Sequence, residues 1–401
     1  RHLLHFPQRY PQCTTAYLQQ NYRSTPEILD LSNRVIAHNP EQFEKTLLPT
    51  KPSGEQPVVA LCRDAKREAE FVAQRIVELH EQGVSYQEIA VLYRIHSHAL
   101  ELQLALQQHH IPFVVHSGTR FLEQAHVKDL LCFLRVLQNP QDRIAWQRLL
   151  LILSGMGTKT AETLLQVLAD AEFQWKALSE HPLCKKLSKK ARAATLRLCS
   201  MLEEAAARNQ EGDVDAAICV FFEQEYCDYL QHSYDNAAQR ADDLRHVQKL
   251  AAESPSVQQF LDDIVFSSNS AVRPEEASQA AVTLSTVHQA KGLEWDHVFV
   301  LNLVEGAFPF FRSLQERDGE AEERRLFYVA STRARQTLTL SFRMLMLQHG
   351  RFRRGKLSRF LWESVSPQGQ EVPVVQKTLE QWMAWAEQAK TLEVWQIEPG
   401  V

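Results

Sequence analysis

Three short segments concentrate polar, aromatic and ionisable side chains where apolar runs stop. QQNYRST (19–25) sets Tyr22 and Arg23 just past a strand-like stretch. TLSTVHQAKGLEW (283–295) again runs from strand to polar loop and carries Thr286, His288, Lys291 and Glu294. EERRLFYVASTRAR (322–335) packs charges around the apolar stripe Leu326, Phe327 and Val329 and carries Arg333 near its end. In open α/β sheets, ligands sit in the crevice beyond the carboxyl ends of the strands, so these positions read as binding chemistry. Taken singly, each residue has a plainer reading. An arginine beside Glu323 is ordinarily a surface ion pair. Tyr22 alone is ordinarily a core aromatic, and Glu294 a helix-start charge with Gly292 shaping the loop before it. A fourth segment, SGMGTKT (154–160), looks like a phosphate loop but fails the G-x-x-x-x-G-K-[ST] spacing, since Thr158 separates Gly157 from Lys159.

Around these segments the first third of the chain alternates strand and helix signals. Residues 16–20 read as a short strand, and Ser24 or Thr25 as the cap of a helix with Pro26 in its first turn and Ile28, Leu31, Val35 and Ile36 on one face. PVVALC (57–62), IAVLY (89–93) and residues 112–115 read as buried strands. Between them lie a helix capped by Asp64 and closed by Gly83, and another over residues 99–109. That alternation is the signature of a parallel α/β sheet. From about residue 120 to 278 strand signals nearly vanish, and Leu, Ala, Gln and Glu recur at helical spacing, with a basic stretch of Lys185, Lys186, Lys189, Lys190 and Arg192. Strand signals return at VTLST (282–286), HVFVLNLV (297–304) and TLTLSF (337–342). One α/β domain is therefore expected to be split by a helical insertion. The last thirty or so residues, with Trp382, Trp385 and Trp395, read as a helical tail.

Composition narrows the class. The 401 residues suit two or three domains, and a net charge of −5 excludes a globally basic nucleic-acid coat protein while leaving room for a basic face. The seven cysteines are scattered without a Cys-x-x-Cys pair, so no metal site or disulfide framework is expected, and reduced thiols in a cytosolic protein fit. No apolar run approaches a membrane span, so no membrane partner is expected.

Taken together, the three segments resemble motifs IV, V and VI of the UvrD/Rep/PcrA family of superfamily 1 DNA helicases, in the family's order. GAFP (306–309) after Glu305 resembles the element that follows motif V. SRFLWES (358–364) is similar to the segment closing the second motor domain, and FLEQAHVKDLLCFLRVLQNP (121–140) to the entry into the inserted subdomain. The resemblance implies a RecA-like, P-loop NTPase-type domain 2A at residues 1–117 and 279–366. It implies a helical 2B insertion at 118–278 and leaves a tail at 367–401. By resemblance, Tyr22 stacks on adenine, Glu294 bonds the ribose, and Arg23 and Arg333 reach the γ-phosphate of ATP as the catalytic arginines. A planar, permanently charged guanidinium suits that task. Of Arg324 and Arg325, one is expected to contact motif residues and the other to be solvated.

The resemblance also places Thr286, His288 and Lys291 along the single-stranded DNA track. SGMGTKT resembles the GIG-type, helix-hairpin-helix-like turn of 2B, with Gly155, Gly157, Thr158 and Thr160 meeting duplex DNA. Glycines there let backbone N–H groups approach a phosphate, and the following helix N-terminus favours its charge. For each of these segments a plain loop or interhelical turn without a ligand stays open, and the basic stretch is either an extension of the duplex surface or a solvated face.

The implied whole is a 3′–5′ translocating ATP-dependent DNA helicase acting in repair or replication, cytoplasmic, of bacterial type and nucleoid-associated. Its partners would be a single-strand–duplex junction and repair or replication proteins. No Walker A or Walker B element is found in the sequence, so the Mg²⁺ ligands are expected in a missing N-terminal RecA-like domain of a chain about twice this length. The fragment alone is expected not to hydrolyse ATP. Two other readings stand beside this one: the motor part of a RecB-like helicase–nuclease, and a non-catalytic DNA-binding or partner-docking module on a degenerate motor fold.

Overall fold

A computed structural model describes residues 6–397 except 11, 15, 43–44, 117–123, 223–225, 235, 253, 271–279, 349–350, 366–382, 384–386 and 389. The chain divides into two compact units, one of residues 1–118 and 270–401 and one of residues 119–269.

The first unit is built on seven strands: β1 Val58–Cys62, β2 Ile89–Tyr93, β3 Phe113–Val115, β4 Val282–Thr286, β5 Trp295–Val300, β6 Ala334–Arg343 and β7 Glu393–Gln396. All pair in parallel, in the order β7-β1-β6-β5-β2-β4-β3. β1 and β2 are buried along their whole length, which is why they read as unbroken apolar runs. Their side chains alternate between two cores. Val59, Leu61, Ala90 and Leu92 meet helices α1 (Pro26–Ile36), α11 (Gly319–Ser331) and α12 (Arg359–Val365) through Ile28, Leu31, Phe327 and Phe360. Ala60, Cys62, Val91 and Tyr93 meet α2 (Ala65–Glu81) and α3 (Leu100–Gln108) through Val72, Ile76, Leu102 and Leu106. This is a RecA-like α/β fold, interrupted by a helical insertion.

Local signals explain most boundaries. Asp64 accepts from the Arg67 N–H at 3.0 Å and starts α2, and Gly83, at φ +94°, follows its end. Thr25 occupies the N-cap of α1 with Pro26 behind it, but makes no side-chain capping bond; the Ser24 hydroxyl instead donates to the Ala334 carbonyl at 2.7 Å. The early strand is shorter than expected. Only Gln20–Asn21 forms a ladder, paired with Leu48–Pro49, and the Gln19 carbonyl just before it accepts from the Leu48 N–H at 2.8 Å.

The tail departs from expectation more clearly. Trp382 and Trp385 lie outside the described residues, but Trp395 sits on β7, which adds to the β1 edge with Glu393 opposite Val58 and Gln396 opposite Leu61. Its ring meets Phe71 edge-on at 6.4 Å and lies beneath the Arg75 guanidinium at 5.2 Å. Contacts with α2 and β1, far away in sequence, fix this strand; its own four residues carry little periodicity.

A buried charge pair braces the carboxyl ends of β5 and β6. Glu68 on α2, 1% exposed, accepts from Arg343 Nε at 2.7 Å, the Ser341 hydroxyl at 2.6 Å and the Asn302 N–H at 3.1 Å.

The second unit is helical throughout its described residues. Its principal helices are α4 Ala125–Gln138, α5 Arg143–Ile152, α6 Thr158–Asp170, α7 Lys189–Gln210, α8 Val214–Phe221, α9 Ala237–Ala252 and α10 Val257–Ser270. Phe133, Phe221 and Tyr226 stack at 4.7 Å spacings in its core. Buried Asp129 is held there by Arg148 and by the Tyr226 hydroxyl.

Candidate nucleotide and nucleic-acid interface

The Asn21 side chain folds the QNYRST turn. Its Oδ1 accepts the N–H groups of both Arg23 and Ser24 at 2.9 Å. With Ser24 tied to Ala334, the turn is fastened to the residue that follows Arg333. Two arginines 310 positions apart are thereby placed on one surface.

Arg23 forms an ion pair with Glu294, and its Nη1 reaches the Thr332 carbonyl at 3.5 Å. Arg333 is half-buried. It donates from Nε to the Val329 carbonyl at 3.0 Å and from Nη1 to the Leu293 carbonyl at 2.9 Å. Gly292, at φ +95°, bends the loop that delivers Leu293 and Glu294. Tyr22 is not a core aromatic: it is 71% exposed, with its hydroxyl donating to Gln20 Oε1 at 2.6 Å.

The electrostatics are unbalanced. The hydrogen bond from Arg23, and then its charge, hold the Glu294 carboxyl below its ordinary range against a partial desolvation. Burial, and next the like charge of Arg23, push the Arg333 pKa down. Two guanidiniums close enough to repel, only one of them paired with Glu294, suit an anion. An exposed aromatic ring beside them suits a flat base. The residues present fit a nucleoside triphosphate.

The motif V loop leaves β4 at Thr286. That residue is 8% exposed and its hydroxyl bonds Gln289 Oε1 at 3.1 Å, so the hydroxyl is engaged within the loop. His288 and Lys291 are exposed and line a cavity of about 450 Å³ with Asn39, Lys45, Arg325 and Tyr328. Partial desolvation, and then the charge of Arg94, push the His288 pKa down. No group of three or more His, Cys, Asp or Glu side chains is arranged to hold a metal among the described residues.

α11 carries most of the remaining charge chemistry. Arg324 is buried, bonding Glu363 through Nε at 2.8 Å and Nη2 at 2.7 Å, and Asn39 Oδ1 at 2.7 Å. Arg325 faces Glu322 at the surface. Glu323 is 1% exposed and pairs with Arg94 at 2.7 Å.

Sequence reasoning singled out GAFP but not the residues after it. Phe311 is 45% exposed, with the Arg312 guanidinium 5.4 Å from its ring, and Phe310 lies under Arg94 at 5.4 Å. Adjacent aromatics followed by arginine were the available signal.

In the helical unit, Gly155 (φ +79°) and Gly157 shape the turn into α6. Gly157, Thr158 and Lys159 are exposed and no side chain caps the helix, so its first N–H groups face outward; Thr160 is half-buried. A Cβ on Gly155 would lie 3.3 Å from the Ala191 backbone nitrogen and 3.4 Å from Lys190 Cβ. Glycine thus lets this turn rest against the start of α7, beside exposed Lys189 and Lys190.

The model of the UvrD-like helicase C-terminal domain matches residues 16–344. The chain belongs to that family. Among its relatives are proteins named ATP-dependent DNA helicase PcrA: 31% identical over 382 residues in Leuconostoc citreum, 30% over 377 in Staphylococcus epidermidis and 29% over 379 in Staphylococcus aureus. Those alignments cover 91%, 90% and 90% of this chain and 51% of each relative, so the chain spans about half the length of the curated relatives it matches. The family match takes in Tyr22, Arg23, Glu294 and Arg333 as well as the 154–160 turn; α12 and β7 lie beyond it. No helix among the described residues is long and apolar enough to cross a membrane.

Proposed function

We propose that this chain is the C-terminal motor half of an ATP-dependent DNA helicase that moves 3′ to 5′ along single-stranded DNA and opens duplex in repair or replication. Residues 1–117 and 279–366 are read as subdomain 2A, 118–278 as 2B and 367–401 as a tail. The observation that carries the reading is the convergence of Arg23, Arg333 and Glu294 beside the exposed ring of Tyr22.

In this reading Tyr22 stacks on the adenine, Glu294 accepts from the ribose, and Arg23 and Arg333 present their forks to the γ-phosphate. Phosphoryl transfer is accelerated mainly by positioning and by neutralising charge on the phosphate oxygens. Mg²⁺, when bound, supplies part of that neutralisation; its ligands and the phosphate loop are assigned to an N-terminal RecA-like domain of the same protein. Because Arg333 hangs from the Leu293 and Val329 carbonyls, its head group is preset rather than recruited from solvent. His288, Lys291 and the loop backbone from Thr286 onward contact DNA phosphates, which fix position without reading sequence. Gly155, Gly157, Thr158 and Thr160 bring backbone N–H groups to a duplex phosphate, with the α7 lysines alongside. A cytoplasmic, nucleoid-associated setting follows from the same reading.

ATPase activity of the full-length chain, with and without single-stranded DNA and beside this fragment, is the test. DNA-stimulated turnover by the longer chain alone supports the split motor. Turnover by the fragment alone overturns the division of the site. Inactivity of both moves the binding-module reading to the front.

A further inference from the structure

We infer that Glu323 is a positioning residue that makes helix α11, whose C-terminal end leads into Arg333, and the 306–313 loop one mechanical body, so that the nucleotide state at Arg333 is conveyed to the exposed Phe311–Arg312 tip. The inference rests on the motor reading above.

Both carboxylate oxygens of Glu323 are committed. Oε1 accepts from Arg94 Nε at 2.9 Å and Nη2 at 2.7 Å; Oε2 accepts from Arg94 Nε at 3.0 Å and from the Phe310 N–H at 2.9 Å. Arg94, just past the end of β2, also donates to the Ser313 hydroxyl at 3.2 Å and lies over the Phe310 ring. One buried carboxylate therefore gathers the helix, the central sheet and the loop.

The loop is fastened at two further points. Phe308 is fully buried against Phe327 of α11 and Phe360 of α12, with ring centroids 6.1 and 5.8 Å away. At the other end, a Cβ on Gly319, the first residue of α11, would stand 1.5 Å from the Ser313 carbonyl oxygen, so loop and helix start share one backbone contact that only glycine permits. α11 runs eight positions beyond Glu323 to Ser331, roughly 12 Å along its axis, and Arg333 follows two residues later. Movement of α11 at the end that leads to Arg333 is thereby expected to reach Phe310. The tip it moves, an exposed ring beside a guanidinium, has the chemistry on which unpaired bases stack.

Glu323→Gln tests this in the full-length protein. The amide keeps the shape but sets an N–H₂ against the Arg94 or Phe310 donors. The half-saturating concentration of oligo(dT) in the ATPase assay is expected to rise at least tenfold, with the KM for ATP changing less than threefold. Phe311→Ala, at an exposed position, is expected to raise half-saturation similarly without lowering the melting temperature. The double variant should be little worse than either single one, because both act through the same contact. Multiplicative effects, or parallel loss of ATP and DNA affinity with a lower melting temperature in Glu323→Gln, overturn the proposal and leave Glu323 a purely structural group. A wild-type protein without DNA stimulation overturns the motor reading and this inference with it; a stimulated wild type with multiplicative variants overturns this inference alone.

Discussion

Replacing Arg333 separates its structural from its chemical work. In the folded chain its Nε and Nη1 each bond a different carbonyl, those of Val329 and Leu293. Hydrogen bonds from charged donors are worth about 1.5–3 kcal/mol each. Two costs already offset them: the guanidinium is partly desolvated, and Arg23 repels it. Arg333→Ala should therefore cost about 1–3 kcal/mol of stability, which leaves most molecules folded. An arginine aimed at the transferring phosphate is worth about 10³–10⁵ in rate, or about 4–7 kcal/mol of barrier. The chemical loss should exceed the structural one. The assay is steady-state ATP hydrolysis by the full-length protein at saturating single-stranded DNA, with thermal unfolding and nucleotide binding measured on the same samples. The expected result is turnover reduced at least a thousandfold, nucleotide binding within tenfold of wild type, and a modest drop in melting temperature. Arg333→Lys should recover little, since one ammonium cannot hold two carbonyls and still present a fork. Retention of more than a tenth of the turnover in Arg333→Ala would remove this residue from the mechanism.

Three further outcomes follow from the geometry. His297 is 8% exposed and burial pushes its pKa down, so the unfolded chain binds the proton more readily and stability falls as pH drops below about 6.5. Urea unfolding at pH 7.5 and 5.5 should show this loss, and His297→Asn should shrink it; an unchanged difference refutes the assignment. Arg343→Met strands the Glu68 carboxylate and should cost about 3–5 kcal/mol in urea unfolding, while adding Glu68→Leu should restore most of that; additive losses would mean that the pair is not the brace described. Gly155→Ala forces a side chain into φ +79° and toward the α7 backbone, at a cost of about 1–2 kcal/mol. It should weaken binding to a duplex junction more than to single-stranded DNA by fluorescence anisotropy, and equal losses would move the duplex surface elsewhere.

How far the sequence alone reaches depends on the range of the interactions. β1 and β2 are covered on both faces, so burial wrote continuous apolar runs that any reader finds. The helical unit was equally plain, as was the Asp64 cap. Tyr22, Arg23, Glu294 and Arg333 were picked out by motif, and the fold supplies what the motif lacks: the Asn21 turn and the Ser24–Ala334 bond that bring them together. Partners separated by hundreds of positions were not legible. Glu68 with Arg343, and Glu323 with Arg94, read as ordinary charges until the sheet order sets them side by side. β7 was missed for the same reason, since its four residues take their conformation from a strand more than 300 positions earlier.

The strand order also bears on how the protein is made. β1 pairs with β6 and β7, β2 with β4 and β5, and β3 with β4. Within this seven-stranded sheet, no described strand encoded before the insertion therefore neighbours another one encoded before it. On the ribosome, the apolar strands of residues 58–115 emerge before the other strands of this sheet and then wait while about 170 further residues are added, roughly 10–30 s at common synthesis rates. Through that interval their edges are open and sticky. The helical insertion, in which successive helices such as α4 and α5 or α7 and α8 pack on one another, is free to fold in the meantime and separates the waiting strands from their partners in sequence. Nascent-chain capture by holding chaperones should peak during this window and fall once β6 has left the exit tunnel. A cell that makes this protein from a permuted gene, with residues 282–343 first, should need less of that help.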